Sequence, residues 1–204
     1  MKKRLLKIGT IVLVILGLII FSLQVNIVYS QESRSAADIL ELRTELLALR
    51  AQPAVRAFLD TIAYAEATYG KDGYRTQYTG LKFSNFNDHP RQVICALYKG
   101  EQLCSSAAGR YQFLKATWDR VASKIWADDF GPVNQDLAAI ELMRESDAVD
   151  TLLKGDFKQA LERVNKVWAS LPGAPYGQPV RAYEELEKVY KQRLREHKRK
   201  IIFH

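Results

Sequence analysis

The stretch VRAFLDTIAYAEATYG, from Val55 to Gly70, carries a carboxylate inside an apolar stripe. Val55, Leu59 and Ile62 recur at four- and three-residue steps and Glu66 continues the series, so on a helix all four share one face. The run Thr68-Tyr69-Gly70 predicts the helix end just beyond it. There the negative end of the helix dipole opposes an ionised acid. Partial burial and the dipole both favour the protonated form, which is the condition a general acid needs near neutral pH. A plainer account stays open on this pattern alone: Glu66 reaching past the helix end into water or onto an arginine.

The elements that must position Glu66 follow in order. Tyr74 to Phe86 is rich in aromatic and β-branched residues, is interrupted by Gly80, and runs into the turn cluster Asn87-Asp88-His89-Pro90, so it reads as a small sheet. Tyr111, Leu114, Trp118, Val121 and Ile125 return to helical spacing, which puts Gly109-Arg110-Tyr111-Gln112 at a helix start. Gly131-Pro132 opens the next helix, through Leu142 and Met143, with proline suited to a first helical position. Asp156 with Gln159 resembles a capping box opening a helix through Leu161, Val164 and Trp168, the last read as core. Pro172-Gly173 and Pro175 predict a rigid loop, and a long charged helix with Leu186, Val189 and Leu194 on its apolar side ends the chain. The expected class is α+β, predominantly helical, with one small antiparallel sheet after the first domain helix.

A chain of 204 residues, about half of them hydrophobic, supports one sizeable core. Its formal charge of +7 is concentrated at the ends, in Lys2, Lys3, Arg4 and Lys7 and in the segment from Lys191 to His204, leaving a slightly acidic body. A nucleic-acid-binding core is therefore not expected. The start MKKRLLK precedes an uncharged run from Ile8 to Gln31, which predicts export or membrane insertion with the rest of the chain outside the cytoplasm. Cleaved signal and retained anchor both fit its length. The expected divisions are a signal or anchor at 1–30, a helical stalk at 31–52 with Leu42, Leu46 and Leu49 on one side, a catalytic domain at 53–195 and a basic tail at 196–204. For the stalk, a helix packed on the domain is the competing view. For the tail, a solvated helix end competes with an element leaning on anionic lipid or wall polymer.

Cys95 and Cys104 lie in VICALYKGEQLC. A two-residue loop at Lys99-Gly100 would pair Tyr98 with Glu101, Leu97 with Gln102, Ala96 with Leu103 and Cys95 with Cys104, the last at a non-hydrogen-bonded site close enough to bridge. A disulfide is the expectation, and two free thiols in another register the alternative, since Lys-Gly is a weak hairpin signal. His89, His197 and His204 form no ligand spacing, so neither metal nor cofactor is called for.

A helix ending in Glu, a small aromatic sheet and then Gly-Arg-Tyr-Gln is the layout of lysozyme-like enzymes. Several segments go beyond layout: Arg56-Ala57-Phe58-Leu59-Asp60 leading to Glu66, Asp88-His89-Pro90-Arg91, Ala108 to Gln112, Asn134-Gln135-Asp136, Trp168 to Ala174 (WASLPGA), and Tyr176-Gly177-Gln178. Over roughly Val55 to Leu194 the chain resembles the lambda-type phage endolysins, lytic transglycosylases of peptidoglycan. The resemblance implies a lysozyme-like domain that cuts the β-1,4 bond between N-acetylmuramic acid and N-acetylglucosamine and leaves a 1,6-anhydro end. Glu66 stands at the position of the family's catalytic glutamate. It would protonate the leaving oxygen and, as carboxylate, assist attack by the sugar's own C6 hydroxyl.

A hydrolase would call for a second carboxylate, with Asp72 and Asp88 nearest in sequence. Asp88 is kept as a candidate substrate-binding residue, although its place in a turn before His-Pro is better explained by an Asx-type turn former. Gln112, with Tyr111 before it, is expected beside the sugar, against a core-facing amide that caps a loop. Tyr176 would offer its phenol to the glutamate or to an N-acetyl group, against plain packing, and Tyr74 and Tyr78 would line a sugar cleft, against sheet packing. The expected partners are peptidoglycan strands and, through the first segment, the inner membrane of a bacterium, with the chain working as a monomer in the periplasm or wall. A hydrolytic muramidase and a silent glycan-binding module are the rival readings. Departures from the family pattern are the export segment, the longer cysteine-bearing insertion between Arg91 and Gly109, Pro175 in place of a glycine and Gly131 in place of a serine cap.

Overall fold

The computed structural model describes residues 36–98 and 100–202, so the apolar run expected to export or anchor the chain, and Lys99 at the hairpin tip, lie outside the described residues. Among the described residues no helix is long and apolar enough to cross a membrane. A first helix, α1, occupies residues 36–51. One compact unit runs from Leu42 onward. The second half of the expected stalk is thus part of the domain: Leu46 is fully buried, and Arg50 Nε donates to Asp136 Oδ2 at 2.7 Å.

The central helix, α2 (Pro53–Ala65), starts with proline at its first position and buries Val55, Phe58, Leu59 and Ile62. It packs most extensively on the terminal helix α7 (Tyr183–Ile202). Between them Phe58 meets Phe157 edge-on at 5.8 Å, and Phe157 stacks on Tyr190 at 4.5 Å. Burying Phe58 completely is worth about 3 kcal/mol of transfer free energy, enough to fix the register of α2 on its neighbours. α7 continues unbroken past residue 196, so the expected tail is the end of this helix.

The sheet is the hairpin of β1 (Ile94–Tyr98) and β2 (Glu101–Ser105), paired in the expected register, with Cys95 opposite Cys104 and joined to it by a disulfide. Tyr74–Phe86 is not the sheet. It folds as two short 3-10 turns, Gly73–Arg75 and Tyr78–Gly80, with a single bridge between Thr76 and Lys82. Thr79 and Gly80 both take positive φ, which turns the chain back before a ladder can form.

Gly109–Gln112 also departs from expectation. α3 begins only at Lys115 (Lys115–Ile125), and the preceding residues form a tight turn closed by reciprocal Ala108 and Phe113 backbone bonds, with Gln112 at φ 47°. α4 (Pro132–Glu145) starts after Gly131 as read from the sequence. α5 (Ala148–Leu153) and α6 (Phe157–Val164) complete the lobe. Asp156 Oδ1 accepts from Gln159 N–H at 2.9 Å as the cap of α6, which ends four residues before Trp168.

Candidate active site

Glu66 is the residue that closes α2. Its N–H still bonds Ile62 O, and the chain then reverses through Ala67 at φ 55°. Ala67 N–H reaches Tyr64 O and Thr68 N–H reaches Ala63 O, so the last carbonyls of the helix are satisfied by a Schellman motif with alanine where glycine is usual. The stop therefore comes one turn earlier than Tyr69-Gly70 suggested. Thr68, buried, donates its hydroxyl to Ala63 O and Arg110 O, tying this reversal to the turn that carries Gln112. Gly73 lies so close that a β-carbon there would sit 1.9 Å from Thr68 O.

A third segment completes the site. Trp168, buried after α6, donates its indole N–H to Tyr111 O at 3.0 Å. Two residues on, Ser170 donates its hydroxyl to Glu66 Oε1 at 2.5 Å. Arg181 N–H holds Ser170 O at 2.9 Å. Glu66, half-buried, is thus reached by a serine and, among the described residues, by no charged group: burial raises its pKa, and the hydroxyl and backbone N–H of Ser170 only partly oppose that rise. A carboxyl in this setting can carry a proton to an incoming oxygen and, once ionised, is held by the donors of Ser170.

The other expected site residues are distributed less simply. Gln112 donates its amide to Thr76 O at 3.1 Å and Gly109 O at 2.9 Å, so its nitrogen caps the loop beside the Glu66 turn. Tyr111 lies in the core, 1% exposed, with its phenol on Asp136 Oδ1 at 2.6 Å. Burial beside that carboxylate pushes the phenol well up, and no face of the ring is left for a ligand. Tyr74 gives its hydroxyl to the same oxygen at 2.8 Å. Tyr176 is half-exposed and bonds Lys166 O, not Glu66. Asp88 accepts from His89 N–H as a turn former and pairs with Arg91 at 2.6 Å, which holds its carboxyl below the usual range. Asp72 is exposed beside the first 3-10 turn. No second acid stands with Glu66 among the described residues.

Two residues that the sequence did not single out belong to the site. Ser170 was visible only as part of WASLPGA. Gln77 is buried, and its Oε1 has no protein partner. It is joined to the 109–113 turn by a bridge to Ala108, and nothing in its local sequence marks it.

Residues 56–196 match the family model named Endolysin. The chain belongs to the lambda-type phage endolysins. Its relatives include the endolysin of Escherichia phage lambda, 37% identical over 129 residues covering 60% of this chain and 80% of the relative. The endolysin of Escherichia phage P2 is 36% identical over 151 residues, 67% of this chain and 90% of that one. Among solved structures, bacteriophage lambda lysozyme complexed with a chitohexasaccharide superposes with a TM-score of 0.65 at 35% identity, covering 70% of this chain and 94% of the other. A second lambda lysozyme structure gives 0.58 at 32% identity, covering 72% and 94%. The fold of this endolysin is accordingly lysozyme-like, and the chain is a peptidoglycan-degrading enzyme of the cell wall.

Proposed function

We propose that the chain is a lytic transglycosylase that cleaves the β-1,4 bond between N-acetylmuramic acid and N-acetylglucosamine, with Glu66 as acid and then base. The observation that carries the reading is Glu66 itself: a half-buried carboxyl at a helix end, bonded by Ser170, with neither a cation nor a second acid beside it. A proton stays on such a group at a pH where an ordinary glutamate has lost it. In the first step that proton passes to the glycosidic oxygen as the C1–O bond breaks. In the second, the carboxylate, held by Ser170, removes the proton of the C6 hydroxyl as its oxygen bonds to C1. No water is consumed, so one carboxyl is enough.

A retaining hydrolase would place a second carboxylate about 5–5.5 Å away, and an inverting one about 6.5–9.5 Å away. Of the acids nearest in sequence, Asp60 is held by Arg110 and His197, Asp72 is exposed, and Asp88, farther on, is committed to Arg91. The saccharide held by lambda lysozyme supports a glycan strand as ligand here. Gln112, anchored by its nitrogen on the turn tied to the end of α2, is the amide assigned to the sugar on this reading. The apolar segment before residue 36 delivers the enzyme across or into the inner membrane, from which it acts on the wall.

Purified wall digested by the chain distinguishes the routes by mass. Anhydro ends are lighter than reducing ends by one water. Reducing ends throughout would overturn the transglycosylase reading and leave a muramidase. No digestion at all by a folded chain would leave a glycan-binding module.

A further inference from the structure

A pocket lies around Asp60, the acid within α2. Asp60 is clamped from two sides, by Arg110 Nη2 at 2.6 Å and His197 Nε2 at 2.8 Å, with all three side chains largely buried. Two polar atoms of this cluster, Arg110 Nε and His197 Nδ1, are buried without a partner. Such atoms are costly and call for a reason. A carboxylate only accepts, so the imidazole must turn N–H toward Asp60. Its Nδ1 is then a bare acceptor when the ring is neutral and a further donor when it is charged.

Arg110 and His197 line a pocket of about 380 Å³ between the loop at Tyr69-Gly70-Lys71 and the end of α7. Lys71 and Lys200 stand on its wall, and neither makes an ion pair among the described residues. Its two acids are already engaged, Asp60 as above and Glu196 with Arg193 at 2.6 Å. Tyr69 adds an aromatic wall whose ring is covered by the guanidiniums of Arg110 and Arg193, at 5.4 and 4.4 Å. The pocket thus carries spare positive charge, beside two buried polar atoms without partners, in a volume much larger than a simple ion needs.

Two features bear on its occupant. The match to the endolysin family ends at residue 196, so His197 and Lys200 come from the helix end beyond it. Gly70, on the pocket wall, is four residues from Glu66, which limits the separation of their Cα atoms to about 15 Å. An extended peptide of four residues spans about 14 Å. Peptidoglycan carries short peptides with free carboxylates on its muramic acid, the sugar whose linkage Glu66 would cut.

We propose that the pocket bounded by Lys71, Arg110, His197 and Lys200 binds a carboxylate of the peptide borne by the muramic acid of the glycan strand. This rests on the peptidoglycan reading above. The Lys71 and Lys200 ammonium groups attract the carboxylate, and Arg110 Nε donates the hydrogen bond it lacks. The enzyme would then prefer strands that still carry their peptides.

Calorimetry with the full chain and a synthetic, sugar-free wall tetrapeptide tests binding separately from cleavage. The free-acid peptide is expected to bind at low ionic strength, and its amidated form at least about tenfold more weakly. The double variant Lys71→Ala/Lys200→Ala should lose about tenfold in peptide affinity. It should also raise KM about tenfold on peptide-bearing strands at unchanged kcat, with KM on strands stripped of peptide unmoved. His197→Gln, which keeps a donor toward Asp60, should weaken peptide binding in the same direction without loss of fold. Equal affinity for acid and amidated peptides, or equal KM effects on both kinds of strand, would overturn the proposal. Lysine-dependent binding to vesicles containing anionic lipid with no peptide binding would overturn it too, and would assign the pocket to a lipid headgroup. Peptide binding by a chain that leaves walls intact would remove the catalytic reading but not this site, and cleavage indifferent to peptide would do the reverse.

Discussion

Asp60 and Glu66 sit six residues apart on one helix and are treated in opposite ways. Asp60 faces a guanidinium and an imidazole. Glu66 faces a serine. A carboxylate held by a guanidinium and an imidazole serves as a strut between α2, the Arg110 turn and α7. One that is half-buried with only neutral donors keeps its proton to higher pH and can exchange it. The helix supplies rigidity to both, and the neighbours set them apart: Asp60 ties three segments together, and on the proposed reading Glu66 does the chemistry.

The contrast is broken most severely at Glu66. Glu66→Gln preserves shape and the contact with Ser170 but cannot give up a proton, and wall-clearing rate should fall by about three orders of magnitude or more. Stability should move the other way. The native pKa of Glu66 is raised above the unfolded value, so the native state holds the proton more tightly. Wild-type stability therefore falls as pH rises from about 4.5 through the native pKa. Denaturant titrations should find Glu66→Gln at least as stable as wild type at pH 7, and the difference should vanish near pH 4. Undiminished clearing by the variant would remove Glu66 from the mechanism.

Asp60→Ala should show the reverse profile. It leaves Arg110, 7% exposed, as a buried cation without its counter-charge, at a cost of about 3–5 kcal/mol. For a domain of this size the melting temperature should drop by roughly 10 °C. Residual activity per folded molecule should stay near that of wild type. A loss of activity without a loss of stability would mean that the two acids work together.

How far the sequence anticipated this division follows from the range of each contact. The place of Glu66 at the end of α2 was legible because its apolar neighbours repeat at helical steps along one short segment. The Cys95–Cys104 pairing was legible because strand register is fixed by counting outward from a turn. Ser170 was not, since its bond to Glu66 joins residues 104 apart, and a serine has no burial pattern of its own. The 109–113 turn was misread as a helix start because Tyr111 falls at helical spacing from Leu114 and Trp118. Tyr111 is buried for a different reason, the bond from its phenol to Asp136, and the positive φ of Gln112 forbids the helix there. Tyr74–Phe86 has the composition of strands, but Thr79 spends its stiffness on a reversal. The function of Asp60 was hidden by its partners, which come from residues 110 and 197.

Ser170→Ala sharpens the comparison at Glu66 without changing its charge. Removing the hydroxyl removes a donor that favours the carboxylate, so the pKa of Glu66 should rise further. The alkaline limb of the rate profile, set by loss of the acid's proton, should shift to higher pH. On the proposed mechanism the rate at its optimum should fall about tenfold, because the carboxylate that would serve as base in the second step loses its support. An alkaline limb that stays in place would mean that Ser170 holds the loop and not the acid.

The smallest effect concerns the residue after Glu66. Ala67 takes φ 55°, a left-handed conformation in which its β-carbon crowds the neighbouring carbonyl. Glycine adopts it freely, and the Schellman motif that ends α2 favours glycine at this position. Ala67→Gly trades that crowding for greater chain entropy in the unfolded state, with a net gain of about 0.5–1 kcal/mol measured by denaturant unfolding. The alanine at this turn is expected to limit how far the Glu66 carboxyl can swing toward solvent. If so, the glycine variant should be more stable and slower, with a Glu66 pKa closer to that of an ordinary glutamate. A variant that gains stability at full activity would show that the strain serves no purpose at the site, and that the contrast with Asp60 rests on neighbours alone.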